Sequence, residues 1–184
     1  ADRSINAPQI QGIVTFGNGP NITFIGLDFL PPIGAAAFAH STNDARGTFY
    51  DCRIAIVLDV IPAFTTSTGT WTLSFYSCII DSAAVNLFSA QLAAGIHSLT
   101  IVDSFVDAGI LVNAAGVGRD LRLRLERSRM TLAPGNGINA IDGTNSTEAV
   151  YVKDCVISVS NGTAFDLTLS STLSQTLDLL FTDN

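Results

Sequence analysis

The sequence predicts an all-β solenoid, a stack of short parallel strands wound from one continuous chain. Three observations predict it. First, five segments share one template: GTFYDCRI from Gly47, LSFYSCII from Leu73, LTIVDSFV from Leu99, LRLERSRM from Leu123 and VYVKDCVI from Val150. Second, each template is followed by another apolar run, several of these broken by Gly or Asn before a third short strand. Third, the composition disfavours helix. There are 14 Asp against 2 Glu and 8 Arg against 1 Lys, and Thr, Ser, Asn, Asp and Gly abound where helix-surface formers would be expected. A fixed period decides architecture before any single motif does.

The copies follow in order along the chain. With the Cys or Ser of each template as anchor, they fall at Cys52, Cys78, Ser104, Ser128 and Cys155, with spacings of 26, 26, 24 and 27 residues. Two degenerate copies extend the series. FIGLDF from Phe24 puts Asp28-Phe29 on the anchor pair, and LDLLFTDN from Leu177 puts Asp183-Asn184 there. Residues 21–184 therefore read as one repeat domain of about seven rungs. Residues 1–20, with Pro8, Gly12, Gly17, Gly19 and Pro20, read as an extended N-terminal arm that caps the first rung or reaches a neighbour. The longest insertions, at about 31–46 and 57–70, are rich in Pro, Gly, Ala, Ser and Thr. A sandwich would need hairpin signals every 8–12 residues or so, and a leucine-rich repeat would need its own Leu and Asn spacing.

The Asp-Cys, Ser-Cys and Asp-Ser pairs inside this template resemble those of the right-handed parallel β-helix, the architecture of pectate-lyase-like proteins and phage tailspikes. The resemblance covers about residues 22–184 and implies a short, single-stranded right-handed coil with Cys or Ser stacked inward just after a bend.

Stacking turns each template position into a column with neighbours about 4.8 Å apart. Phe49, Phe75, Ile101, Leu125 and Val152 form one core column, and Ile54, Ile80, Val106, Met130 and Ile157 another. The three Cys read as small inward residues beside a tight bend, a place that Ser104 and Ser128 also fill. The residue before each anchor is Asp28, Asp51, Ser77, Asp103, Arg127, Asp154 or Asp183. Asp tolerates the left-handed conformation that a one-residue bend needs, and Arg127 is expected to sit in a charge ladder between Asp103 and Asp154.

Function classes narrow by exclusion. The 184-residue chain carries a net charge of −7, and its pI near 4.5 argues against a general nucleic-acid or acidic-membrane binder. It is 47% apolar and 14% charged, with mean hydropathy +0.40. Even so, no run approaches the roughly 18 apolar residues of a transmembrane helix. The sequence motifs of serine hydrolases, zinc proteases and nucleotide binders are missing. Asp81 and Asp107, three positions after their anchors on adjacent rungs, are the best catalytic candidates. Paired carboxylates suit glycoside hydrolysis or a cation, but no third acid, Arg or Lys joins them in the column, and they are read as two solvated acids, not as catalytic residues. His40 and His97 lie in different parts of their rungs. Cofactors and metals are expected to be absent.

Two surface expectations remain. Outward columns flank the bend, one reading Tyr50, Tyr76, Val102, Glu126, Lys153 and the other Arg53, Ile79, Phe105, Arg129, Val156. Tyr50, Tyr76, Ile79, Val102, Phe105 and Val156 are expected to form an oligomer interface, because monomers seldom leave a large contiguous apolar patch in water. Arg119, Arg122, Arg124 and Arg129, crowded with Arg127 into one rung, are expected to dock a negatively charged partner. The resemblance then implies a non-enzymatic virion protein. It would be a homotrimeric decoration, or cement, protein on the capsid surface of a tailed phage, with the major capsid protein or another virion protein as partner and neither nucleic acid nor membrane. The other reading is a tailspike-like carbohydrate-binding or depolymerising module of a phage or bacterium, using Asp81 and Asp107.

Overall fold

The computed structural model describes residues 7–16, 20–32, 38–40, 45–56, 71–82, 89–91, 95–108, 112–115, 119–132, 138–141, 147–159, 165–168 and 176–182. The described chain opens with β1 (Gln9–Ile10), β2 (Val14–Phe16), β3 (Ile22–Ile25), β4 (Asp28–Phe29) and β5 (Phe38–His40). The next pass holds β6 (Ala45–Tyr50) and β7 (Arg53–Ile56). Four passes then repeat one order: β8 (Trp71–Tyr76), β9 (Ile79–Ser82), β10 (Ser89–Gln91); β11 (Gly95–Val102), β12 (Phe105–Ala108), β13 (Val112–Ala115); β14 (Arg119–Glu126), β15 (Arg129–Leu132), β16 (Ile138–Ile141); β17 (Thr147–Lys153), β18 (Val156–Val159), β19 (Phe165–Thr168). β20 (Thr176–Thr182) follows.

Successive passes lay equivalent strands side by side. A seven-stranded pre-bend sheet runs β20-β17-β14-β11-β8-β6-β3, and a seven-stranded post-bend sheet runs β1-β4-β7-β9-β12-β15-β18. A third sheet runs β10-β13-β16-β19, and β2 pairs with β5. Every pairing is parallel. Such sheets need one face on a core and a long crossover between neighbours; here each crossover is a whole pass of the chain. The all-β, all-parallel architecture, with no helix among the described residues, is compatible with a parallel β-helix. No described helix is long and apolar enough to cross a membrane.

The expected core columns are buried in register. Phe49, Phe75, Ile101, Leu125 and Val152 align across β6, β8, β11, β14 and β17, and all are buried. Ile54, Ile80, Val106 and Met130 do the same in the post-bend sheet, and Ile157 packs against them partly buried. Leu73, Leu99, Leu123 and Val150 add a third buried column. The rings of Phe24, Phe49 and Phe75 stack at 5.0 and 4.8 Å, the strand spacing itself.

The first rung differs from expectation in two ways. Gly26, not Asp28, makes its bend: its φ is 66°, and its N–H donates to the Tyr50 carbonyl at 2.9 Å. Leu27 therefore holds the anchor position, while Asp28 pairs with Arg53 and Phe29 with Ile54 in the core. The Asp-rich bend column had drawn the alignment two residues too far; glycine adopts the left-handed region without any side-chain device. Within residues 1–20, β1 extends the post-bend sheet beside β4, and β2 brings Phe16 into the core against Phe24 and Phe38. Gly47 makes room for it. A Cβ there would meet the Phe49 and Phe16 rings at 3.0 and 3.1 Å, at a position where later strands carry Leu73, Leu99, Leu123 and Val150. Asp183-Asn184, residues 57–70 and parts of 31–46 lie outside the described residues.

Candidate functional site at the bend edge

One residue turns each pre-bend strand into its post-bend strand. Asp51, Ser77, Asp103, Arg127 and Asp154 have φ between 44° and 54°, the left-handed region that costs an L residue about 1–2 kcal/mol. Hydrogen bonding offsets that cost. Each bend N–H donates to the carbonyl ending the next pre-bend strand, Asp51 to Tyr76, Ser77 to Val102, Asp103 to Glu126, at 3.0 Å. Each anchor carbonyl accepts from the N–H opening the next post-bend strand, as Cys78 does from Phe105 at 2.9 Å.

The inner side of the bend is a ladder of hydroxyls and thiols. Ser104 and Ser128 Oγ donate to the carbonyls of Val102 and Glu126, both at 2.7 Å. Cys52, Cys78 and Cys155 Sγ do the same to Tyr50, Tyr76 and Lys153 at 3.2–3.3 Å. Each Ser oxygen also accepts an N–H from the preceding rung: Ser128 Oγ from Ser104 at 3.1 Å, and Ser104 Oγ from Cys78 at 3.0 Å. At the five anchors from Cys52 to Cys155 a small side-chain donor meets the carbonyl two residues back, a role that Cys and Ser share. The cysteines are free thiols. The hydrogen bond with the Cys52 side chain, then burial, pushes the Cys78 thiol well above the usual range. Burial also raises Cys155. Protonated thiols of this kind are poor nucleophiles.

The outer side carries the expected columns. Tyr50 and Tyr76 stack at 4.9 Å, and Ile79, Phe105 and Val156 are 37%, 37% and 60% exposed. Val102 corrects the expectation: it is only 6% exposed. Its short side chain lies in register between the longer Tyr76 and Glu126. Ile25 continues the Tyr50 column and is exposed. The displaced alignment of the first rung hid it from sequence reasoning, which also missed Glu126. That carboxylate is buried and bound by Arg124 at 2.7 and 2.9 Å and by Arg127 at 3.3 Å. Alternation alone had placed it in water.

The arginines divide between the two sides of the bend. Arg122 and Arg124 are exposed on β14, while Arg129 is exposed on β15. Arg119 opens β14, with its side chain outside the described residues. Arg124 also lies over the Tyr151 ring at 5.8 Å. In the bend column Arg127 grips Asp103 with two hydrogen bonds of 2.7 and 2.8 Å, and this guanidinium holds the Asp103 carboxyl below its ordinary range.

Asp81 and Asp107 are register partners on β9 and β12 and both are exposed. Arg53, on the neighbouring strand, reaches Asp81 at 3.3 Å. The side chains of His40 and His97 lie outside the described residues. Among the described residues no three His, Cys, Asp or Glu side chains group as metal ligands would.

No family model, curated protein or solved structure matches the chain.

Proposed function

We propose that the chain is a non-enzymatic structural protein, a right-handed parallel β-helix of about seven rungs that works by self-assembly. Its fullest form is a homotrimeric decoration protein on a tailed-phage capsid, docking the major capsid protein or another virion protein through Arg122, Arg124 and Arg129. The observation that carries self-assembly is the patch of Tyr50, Tyr76, Ile79 and Phe105, contiguous in register on the solvent side. Arg53 and Arg129 border it as a polar rim does an interface. The virion reading draws on the template's resemblance to phage β-helices, an analogy of fold. Co-sedimentation with tailed-phage capsids stripped of accessory proteins tests it: the chain pellets with capsids and Arg122→Glu/Arg124→Glu stays in the supernatant. Wild-type chain that never pellets with any such capsid counts against it.

A second reading rests on the in-register exposure of Asp81 and Asp107, a pair that suits a depolymerising module. Cleavage of bacterial surface polysaccharide by the purified chain, abolished in a folded Asp107→Asn variant, would establish that reading in place of the first.

A further inference from the structure

Tyr50 and Tyr76 are brought together by the backbone. Each ends its pre-bend strand, and the pairing of β6 with β8 sets one directly beside the other. The bend beyond them is pinned as well: the Asp51 N–H donates to the Tyr76 carbonyl and the Ile79 N–H to the Cys52 carbonyl, at 3.0 and 2.9 Å. The two rings follow, stacked with centroids 4.9 Å apart and planes 15° from parallel. Phe49 and Phe75 stack in the same way on the inward side of these strands, where core packing accounts for the contact. The tyrosines instead face outward, Tyr50 41% exposed and Tyr76 half-buried. Phenols, unlike phenyl rings, are open to one-electron oxidation. A phenol that gives up an electron and a proton becomes a phenoxyl radical, its spin shared with the two Cε carbons. Two such radicals join where their Cε atoms can meet. Between separate molecules that meeting is rare; here strand pairing has already made it, which removes most of the entropic cost.

We infer that Tyr50 and Tyr76 form an oxidative coupling site, which hydrogen peroxide and a one-electron oxidant of the haem peroxidase type convert into dityrosine within one chain. Each phenol loses one electron and one proton. A Cε–Cε bond then joins the rings, and the hydrogen on each bonded carbon moves to its own oxygen, restoring the phenol. Hydrogen peroxide takes up the two electrons and two protons and leaves as two waters. The bond staples neighbouring rungs at the exposed bend edge. It also closes the chain between Tyr50 and Tyr76 into a loop that the unfolded state cannot open. Both rings belong to one chain, so the inference does not rest on the self-assembly proposed above.

The described side chains offer no second pair. The sequence holds three tyrosines. Tyr151 lies on β17, three strands from β8 in the same sheet, which sets it roughly 14 Å from Tyr76. The Arg124 guanidinium over its ring at 5.8 Å also opposes the loss of an electron there. Met130 and the three cysteines, the other easily oxidised side chains described, are buried.

Treating the full chain with hydrogen peroxide and a haem peroxidase, then separating the products under denaturing conditions, tests this. The expected product has the mass of one chain less two hydrogens and the fluorescence of a biphenol. On digestion it yields a linked peptide pair holding Tyr50 and Tyr76. Tyr151→Phe couples as the wild type does. Tyr50→Phe and Tyr76→Phe, which keep the stacked ring and lose only the phenol oxygen, give no product linked within the chain. Wild-type chain that forms no biphenol, while free tyrosine couples in the same mixture, would overturn the inference. So would linkage solely between chains, or a link within the chain that survives Tyr76→Phe.

Discussion

The inside and the outside of the bend are built from the same five rungs under different rules. Inside, every rung solves one problem in one way: a small hydroxyl or thiol donates to the carbonyl two residues back. Outside, the rungs diverge, from Tyr50 and Arg53 through Val102 and Phe105 to Lys153 and Val156. Uniformity marks what the coil needs in order to form. Variation marks positions the coil leaves unconstrained, and on the function proposed above these are what it presents to another copy. Backbone hydrogen bonding explains the first; the second follows local side-chain contacts that differ from rung to rung, such as Tyr50 on Tyr76 and Arg124 on Glu126.

The sharpest way to break this contrast is to give an inner position an outer side chain. Cys78→Arg would bury an unpaired charge in the ladder, and no soluble folded protein is expected on expression, whereas Ile79→Arg next to it folds normally by circular dichroism. Ser104→Ala ranks second. It removes the acceptor for the Cys78 N–H, and leaving that group buried and unpaired costs about 1–3 kcal/mol, readable as a lower urea midpoint at unchanged slope. Cys78→Ser ranks third, because Ser already fills two equivalent anchors; a change within about 1 kcal/mol is expected.

The smallest effect is on the outer edge and depends on pH. The folded-state pKa of Asp103 is depressed by Arg127. Its contribution is therefore present above the unfolded carboxylate value, about 3.9, and is lost as pH falls through the lower folded value. Between pH 7 and 2 the wild type should lose slightly more thermal stability than Asp103→Asn. Equal losses would show that the bidentate pair, which is solvent-exposed, contributes nothing measurable.

What could be read in the sequence follows from the same contrast. The bend, anchor and core columns recur every 24–27 residues, so five copies averaged out their accidents and fixed the register of the pre-bend and post-bend sheets. Features that occur once had no such support. Phe16 enters the core from outside the repeat, and Gly47 reads only as the first position of its template until the rings beside it are seen. Gly26 does without the Asp that marks most other bends, so the first rung was misplaced and Ile25 was lost from the outer column. Alternation gave direction but not exposure: Val102 and Glu126 point outward, yet are covered by the longer side chains around them. The arginines clustered in sequence but separate in space, because the bend falls between Arg124 and Arg129.

The central claim is that the outer edge exists to meet another copy. Multi-angle light scattering at micromolar concentration tests it most directly. The account predicts a mass that is a multiple of the 19.3 kDa chain, reduced to one chain by Phe105→Asp with the fold intact. A wild-type mass of 19.3 kDa at every concentration, unchanged by that substitution, would contradict it.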